Sequence, residues 1–343
     1  MKSNRLSLIV QPLLDWFSTH ARDLPWRRDR EPYHVWLSEI MLQQTRVEAV
    51  KGYYARFMQA APDVFALAAL PEDRLLKLWE GLGYYNRARN LQKCARLLAE
   101  RGGRFPETKE GLLALPGVGD YTAGAIASIC FEQPAAAVDG NVLRVCARLL
   151  DDSTPVDDPA LKKRLAADLS AVYPAGRCGD FTQALMELGA TVCLPNGEPK
   201  CAACPVRVFC LAAAHGTALS LPVKKPKKPR REEARTVFLL RCGDRLAVRR
   251  RADRGLLAGL WELPNTEGVL SEREAGVYLS GKDLGDVRLR AVQEGEHVFT
   301  HIRWTMRCYT VETSAMPPCF VWITPEELAG DVSLPTAFRQ FVP

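Results

Sequence analysis

The chain has 343 residues, 47% hydrophobic and 25% charged. Those proportions exclude a largely disordered chain, and at roughly 150 residues per domain they imply two or three domains with real cores. The net charge of +6 suits a polyanionic partner without requiring one, and eleven cysteines, an odd number with many singles, argue against a disulfide scaffold and for a reducing compartment.

The start, Met1-Lys2-Ser3-Asn4-Arg5 followed by Leu6 to Val10, is too short for a signal peptide or a membrane span, so a cytoplasmic chain with no membrane partner is expected. From there to about residue 216 the pattern is helical. Leu70 to Trp79, Asn90 to Leu98, Tyr121 to Cys130 and Ala160 to Val172 all carry a 3.6-residue apolar period. No internal repeat of fixed period interrupts them.

Ser38-Glu39-Ile40-Met41-Leu42-Gln43-Gln44-Thr45 sets Glu39 among Trp36, Leu37, Ile40, Met41 and Leu42. Such neighbours desolvate a carboxylate, raise its pKa and keep a proton available near neutrality. By itself, though, the stretch also describes a surface glutamate on an amphipathic helix. Further on, Leu115-Pro116-Gly117-Val118-Gly119-Asp120-Tyr121-Thr122 places two glycines around a valine, ahead of a helix beginning near Tyr121. The glycines permit a sharp turn and close approach, and the first amides of the helix are free to grip phosphate. Asp120 is expected to cap that helix rather than face phosphate. In Val138-Asp139-Gly140-Asn141 a carboxylate follows the small, apolar run Ala135 to Val138, a setting in which it can stabilise a sugar cation.

Cys193, Cys201, Cys204 and Cys210 are spaced Cys-x7-Cys-x2-Cys-x5-Cys, a thiolate set for a metal centre. Tetrahedral zinc and an iron-sulfur cluster both fit, the spacing leaning slightly to the second. Lys200 and Arg207 between the ligands offer positive charge to DNA. The single cysteines Cys94, Cys130, Cys146, Cys178, Cys242, Cys308 and Cys319 read as core residues.

From Leu221 to Arg231 prolines and basic residues leave no apolar face to bury, so this stretch reads as a linker whose charges either touch a phosphate backbone or solvate a hinge. Alternation follows in Thr236 to Leu240, a turn at Cys242-Gly243-Asp244, then Arg245 to Arg249, Arg303 to Val311 and Phe320 to Ile323. The expected division is therefore 1–216, a linker over 217–234, and a mixed domain over 235–343. Gly259-Leu260-Trp261-Glu262-Leu263-Pro264 looks like part of a MutT-type fold. Where Nudix hydrolases place Arg-Glu-x-x-Glu-Glu, however, this chain has Arg273-Glu274-Ala275-Gly276-Val277-Tyr278, without a carboxylate pair for magnesium, and nucleotide hydrolysis is not expected.

With Leu24-Pro25-Trp26-Arg27 and Gly81-Leu82-Gly83-Tyr84-Tyr85, these motifs stand in a known order. Residues 1 to about 216 resemble the helix-hairpin-helix DNA glycosylases that carry an iron-sulfur cluster, specifically the MutY-type adenine DNA glycosylases. His297-Val298-Phe299-Thr300-His301 resembles the loop with which that family senses 8-oxoguanine. The resemblance implies a mostly α helix-hairpin-helix domain with a four-cysteine cluster loop, then a smaller α+β MutT-like (Nudix-like) domain. It implies a 4Fe-4S cluster on the cysteine quartet, and a monomeric bacterial enzyme that removes adenine opposite 8-oxoguanine or guanine in double-stranded DNA.

Carried over by residue, the resemblance makes Glu39 the acid that protonates N7 of an extruded adenine and then activates water. Asp139 stabilises the oxocarbenium ion, with Tyr121 and Asn141 around it. Trp26, Arg27 and Glu187 wall the adenine pocket. Gln44, Leu82, Tyr84 and the Gly117-Val118-Gly119 turn meet DNA, and Phe299, Thr300 and His301 recognise 8-oxoguanine. Related endonuclease III-type enzymes hold a lysine where this chain has Tyr121, so base removal without strand cleavage is expected. The alternatives are an endonuclease III-like lyase on oxidised pyrimidines, or a non-enzymatic metal-stabilised DNA-binding protein. One departure stands out: the family's first cysteine gap is commonly six residues, and here it is seven.

Overall fold

The computed structural model describes residues 2–226 and 229–343, so Lys227 and Lys228 of the basic linker lie outside the described residues. Helices fill the chain up to His215: α1 (Lys2–Leu8), α2 (Val10–His20), α3 (Pro32–Leu42), α4 (Val47–Ala60), α5 (Val64–Ala69), α6 (Glu72–Leu78), α7 (Asn86–Glu100), α8 (Lys109–Leu113), α9 (Asp120–Phe131), α10 (Gly140–Leu149), α11 (Pro159–Ser170), α12 (Cys178–Thr191) and α13 (Leu211–His215). The expected helices are all present. The one over Asn90 to Leu98 runs longer at both ends, and the one over Leu70 to Trp79 starts later, after Pro71. Among the described residues no helix is long and apolar enough to cross a membrane.

Strands follow: β1 (Arg231–Cys242), β2 (Arg245–Arg250), β3 (Trp261–Glu262), β4 (Asn265–Glu267), β5 (Val287–Val298), β6 (Ile302–Thr313) and β7 (Val321–Ile323), with α14 (Glu272–Ser280), α15 (Pro325–Gly330) and α16 (Thr336–Arg339). The central order is β3-β2-β1-β6-β5, with β4 on β1 and β7 on β2. β1 and β6 run parallel, Arg231 opposite Ile302, while the other pairs are antiparallel. The alternation read from the sequence sorts the two faces. Val237 and Leu239 join Trp304 and Met306 in one core, and Phe238 and Leu240 join Tyr309 and Val311 in another, because successive residues of a strand point to opposite sides.

By packing, the chain divides into one compact unit of 1–69 with 89–226, and a second of 70–88 with 227–343. In the second unit, Lys77 Nζ donates to the carbonyls of Leu328 (2.7 Å) and Val332 (3.1 Å), and Glu80 Oε1 accepts from the Leu334 amide at 2.7 Å. These bonds tie α6 to the chain that follows the sheet. In the first unit, α9 is the hub: it packs on α3, α8 and α12. Its Gly124 lets the extended run before Asp139 pass close, since a Cβ there would stand 2.5 Å from the Ala136 carbonyl oxygen. That approach sets Asp139 on the same side as Tyr121.

Candidate active site

α3 carries Glu39, and Tyr33, Val35, Trp36, Leu37, Ser38, Ile40 and Met41 are buried along with it. A helix covered on nearly every face lies inside a protein, so Glu39 is an interior residue, 6% exposed, and not the surface glutamate its stretch alone allowed. Burial pushes its carboxyl up to about 7. The hydroxyl of Tyr121 donates to Glu39 Oε2 and opposes that rise; the Asp139 charge adds to it, and the Arg27 charge opposes it.

Asp139 is the N-cap of α10: its Oδ1 accepts from the Val142 amide at 2.7 Å, and its Oδ2 accepts from Asn141 Nδ2 at 2.8 Å. Burial raises its carboxyl above the ordinary aspartate value, while those two bonds favour the ionised form. Arg144 Nη2 donates to Asn141 Oδ1 (2.9 Å) and to the Gly189 carbonyl (2.8 Å), and its Nε donates to the Cys193 carbonyl (2.8 Å). One turn on, Arg148 donates to Leu194 O (2.9 Å) and approaches Cys193 Sγ (3.2 Å). Sequence reading missed both arginines. Their signal was two charges spaced four apart on a helix whose other positions, Val142, Val145, Cys146 and Leu149, are core-like.

Glu39, Tyr121, Asp139 and Asn141 share the wall of a cavity of about 820 Å³ with Trp26, Arg27 and Gln44. Its size and mixed lining are those of a small-molecule site. Arg22, Met186 and Lys162 also line it and were not anticipated. Glu187 does not line it. Fully buried, its carboxylate accepts from Arg22 Nε (2.5 Å), Arg22 Nη2 (2.9 Å) and Arg27 Nη2 (2.8 Å). Burial alone would raise Glu187, but the two guanidinium groups outweigh it and hold the carboxyl below its usual range. Glu187 therefore positions two arginines that face the cavity.

Gln44 has φ of 59° and Tyr84 of 49°, left-handed conformations that are strained for side-chain-bearing residues and concentrate at functional sites. In the hairpin between α8 and α9, Gly117 has φ of 75°, and a Cβ there would stand 2.7 Å from that of Asn90. Gly119 is instead the extended N-cap of α9, with no side-chain cap. The expectation that Asp120 caps this helix is overturned: Asp120 is its first residue, and its carboxylate pairs with Lys109 Nζ at 3.2 Å. Among the described residues, no N-cap side chain hydrogen-bonds the first amides of α9. Val118 and Leu82 are buried, each 6% exposed.

In the second unit, the Tyr84 hydroxyl lies 2.9 Å from Thr300 Oγ1. Thr300 and His301 are exposed. Phe299 is half-buried, its ring edge-on to Trp304 at 4.9 Å and to His297 at 4.6 Å, so it supports the loop from beneath. In α14, Glu274 is engaged by Ser271 in a capping box.

Cys193, Cys201, Cys204 and Cys210 are free thiols that line one small cavity. Of the cysteines expected in the core, Cys94, Cys146, Cys178 and Cys308 are buried, Cys130 and Cys242 are half-buried, and Cys319 is exposed. Cys319 lies just before the short strand β7, where nothing covers it.

Residues 37–167 match the HhH-GPD superfamily of base excision DNA repair proteins, and residues 236–343 match the NUDIX domain. The adenine DNA glycosylase of Mus musculus is 36% identical over 396 residues, covering 96% of this chain and 77% of its own length. That of Homo sapiens is 36% identical over 399 residues, covering 96% and 73%. Among solved structures, a thermostable thymine-DNA glycosylase aligns with a TM-score of 0.56 at 31% identity, over 62% of this chain and 98% of its own. A non-covalent endonuclease III-DNA complex aligns at 0.53 and 23% identity, over 63% and 98%, a likeness of fold alone. The chain belongs to the HhH-GPD superfamily of base excision DNA repair proteins and, within it, to the adenine DNA glycosylases.

Proposed function

We propose that this glycosylase releases adenine paired with 8-oxoguanine or guanine in duplex DNA by hydrolysing the N-glycosidic bond, leaving an abasic site. The observation that carries the reading is the placement of Glu39 and Asp139 on the walls of one cavity with the Tyr121 hydroxyl on Glu39. Adenine must leave the base stack to reach that cavity, at a cost of a few kcal/mol that mispairing lowers. Protonated Glu39 gives its proton to N7. The C1′–N9 electron pair leaves with the base, and the cation at C1′ is sheltered by ionised Asp139, acid and anion being set apart by environment as in retaining glycosidases. Glu39, now a carboxylate, takes a proton from the water that attacks C1′. Trp26, Arg27 and Arg22 hold the purine, with Glu187 fixing the two arginines.

Tyr121 supplies no amine, so the strand stays intact. Thr300 and His301, exposed beside Tyr84, read the lesion base. The division 1–216, 217–234 and 235–343 then assigns excision, connection and lesion reading. Cys193, Cys201, Cys204 and Cys210 fit a 4Fe-4S cluster: four free thiols line one cavity, with the Arg148 guanidinium at Cys193 Sγ. Such a cluster supplies structure and charge to the loop, whose Pro195 to Pro199 turn absorbs the extra residue in the first gap. The enzyme acts as a monomer on chromosomal DNA in a bacterial cytoplasm.

Duplexes bearing adenine opposite 8-oxoguanine, adenine opposite guanine, and thymine glycol test the reading. Adenine release from the first two, with borohydride trapping no adduct, is expected. Release of thymine glycol with strand cleavage in its place would overturn it.

A further inference from the structure

The stretch from Leu221 to Arg231 is expected from sequence to be a linker whose charges either touch a phosphate backbone or solvate a hinge. Its first part is strapped onto the glycosylase unit. The Arg148 Nε donates to the Leu221 carbonyl at 3.0 Å, the Val156 amide to the Val223 carbonyl at 2.9 Å, and the Lys225 amide to Asp157 Oδ2 at 3.2 Å. Held this way, Pro222 and Lys224 become part of the wall of the cavity that contains Glu39 and Asp139. Lys162, on α11, lines the same cavity. It also lines a second cavity of about 520 Å³ behind Tyr121 and Val138, together with Lys109 and Lys163. Lys162 thus stands on the ridge between two hollows, and Lys224 at the edge of the first.

Resting on the reading of this site as a DNA glycosylase, we propose that Lys162 and Lys224 form a paired cationic grip that holds the backbone phosphates flanking the extruded nucleotide. A nucleotide whose base reaches the cavity brings its own two phosphates to the mouth, within the field of Asp139 and close to the carboxylate of Asp120, which lines the second hollow. Two ammonium groups at that mouth offset the repulsion. They are point charges on flexible stems, suited to phosphates at variable positions rather than to a bidentate partner. The strap's backbone places Lys224, so the linker acts in substrate positioning as well as in connection.

The test is the salt dependence of affinity for a duplex carrying a non-hydrolysable adenosine analogue opposite 8-oxoguanine, in wild type, Lys162→Ala, Lys224→Ala, and Lys225→Ala. The last removes the same charge one residue away, from a side chain that does not line the cavity. Each lost phosphate contact lowers the slope of log affinity against log salt by about 0.9, which is about threefold in affinity between roughly 50 and 200 mM salt. Lys162→Ala and Lys224→Ala are each expected to show that loss, with Lys225→Ala keeping the wild-type slope. Equal slopes for Lys224→Ala and Lys225→Ala, or no change in Lys162→Ala, would overturn the grip. Wild-type adenine release on the cleavable duplex is measured alongside: its absence would sink the glycosylase reading itself, whereas its presence with unaltered slopes would sink the grip alone.

Discussion

The cavity of the first unit and the sheet of the second treat charge in opposite ways. On the sheet, arginines and acids neutralise one another: Arg249 and Arg251 both pair with Glu262, and Arg290 with Glu312, Arg303 with Glu296 and Arg307 with Glu294 make further pairs. In the cavity, among the described residues, no cation forms an ion pair with Glu39 or Asp139; their partners are a phenol, an amide and a backbone N–H. The exposed pairs at Arg290, Arg303 and Arg307 contribute little to stability and chiefly keep the surface neutral and ordered, whereas Glu262 is buried and its charge is met by two guanidinium groups. Leaving a buried acid and a half-buried one without an ion pair costs stability, and what it supplies is one carboxyl that keeps its proton near neutrality beside another whose hydrogen bonds favour the ionised form.

The sharpest way to break this contrast is Glu39→Gln, which keeps shape and removes the proton. Single-turnover adenine release is expected to fall by about 10²- to 10⁴-fold, the usual contribution of a general acid and base, with duplex affinity retained. Next, Asp139→Asn keeps an equally good helix cap, so thermal stability is expected to hold while release falls by about 10²-fold or more, as expected when an electrostatic stabiliser is lost. An equal loss of stability would place Asp139 with the structural ion pairs.

Glu187→Gln strips the buried partner from Arg22 and Arg27. Breaking a buried pair costs about 3–5 kcal/mol, seen as a lower urea midpoint, and the adenine pocket loosens with it. On the lesion side, Thr300→Ala removes one hydrogen bond of about 1 kcal/mol, so the preference for 8-oxoguanine over guanine opposite adenine is expected to drop by roughly tenfold or less, with release from the guanine pair unchanged. The smallest effect belongs to Asp120→Ala, an exposed pair with Lys109, expected to alter stability by less than about 1 kcal/mol.

Where local chemistry decides, the sequence was legible. The Gly117 turn, the two-residue alternation of Val237 to Leu240 and the four gathered cysteines are all short-range patterns, whereas the expected cap at Asp120 was misplaced and the cap at Asp139 was not read. Glu39 was legible only in part: its apolar neighbours suggested burial, but a second layer of helices was needed to show that α3 is covered all round. Arg22, Lys162 and the strap carrying Lys224 were missed because residues far apart in the chain bring them to the cavity, and no local period records that meeting. Glu187 was read as pocket wall. Only the packing of α12 shows it behind the arginines, where a carboxylate orients others instead of touching a ligand.

The central claim is that burial makes Glu39 the proton donor, and the pH profile of single-turnover adenine release tests it most directly. A donor must be protonated, so with its carboxyl raised to about 7 the rate should hold through the weakly acidic range and fall as pH rises through neutrality. In Tyr121→Phe, which removes a bond that lowers that value, the same descent should move to higher pH. A rate that stays flat through neutrality, or climbs with pH in the wild type, would contradict the account.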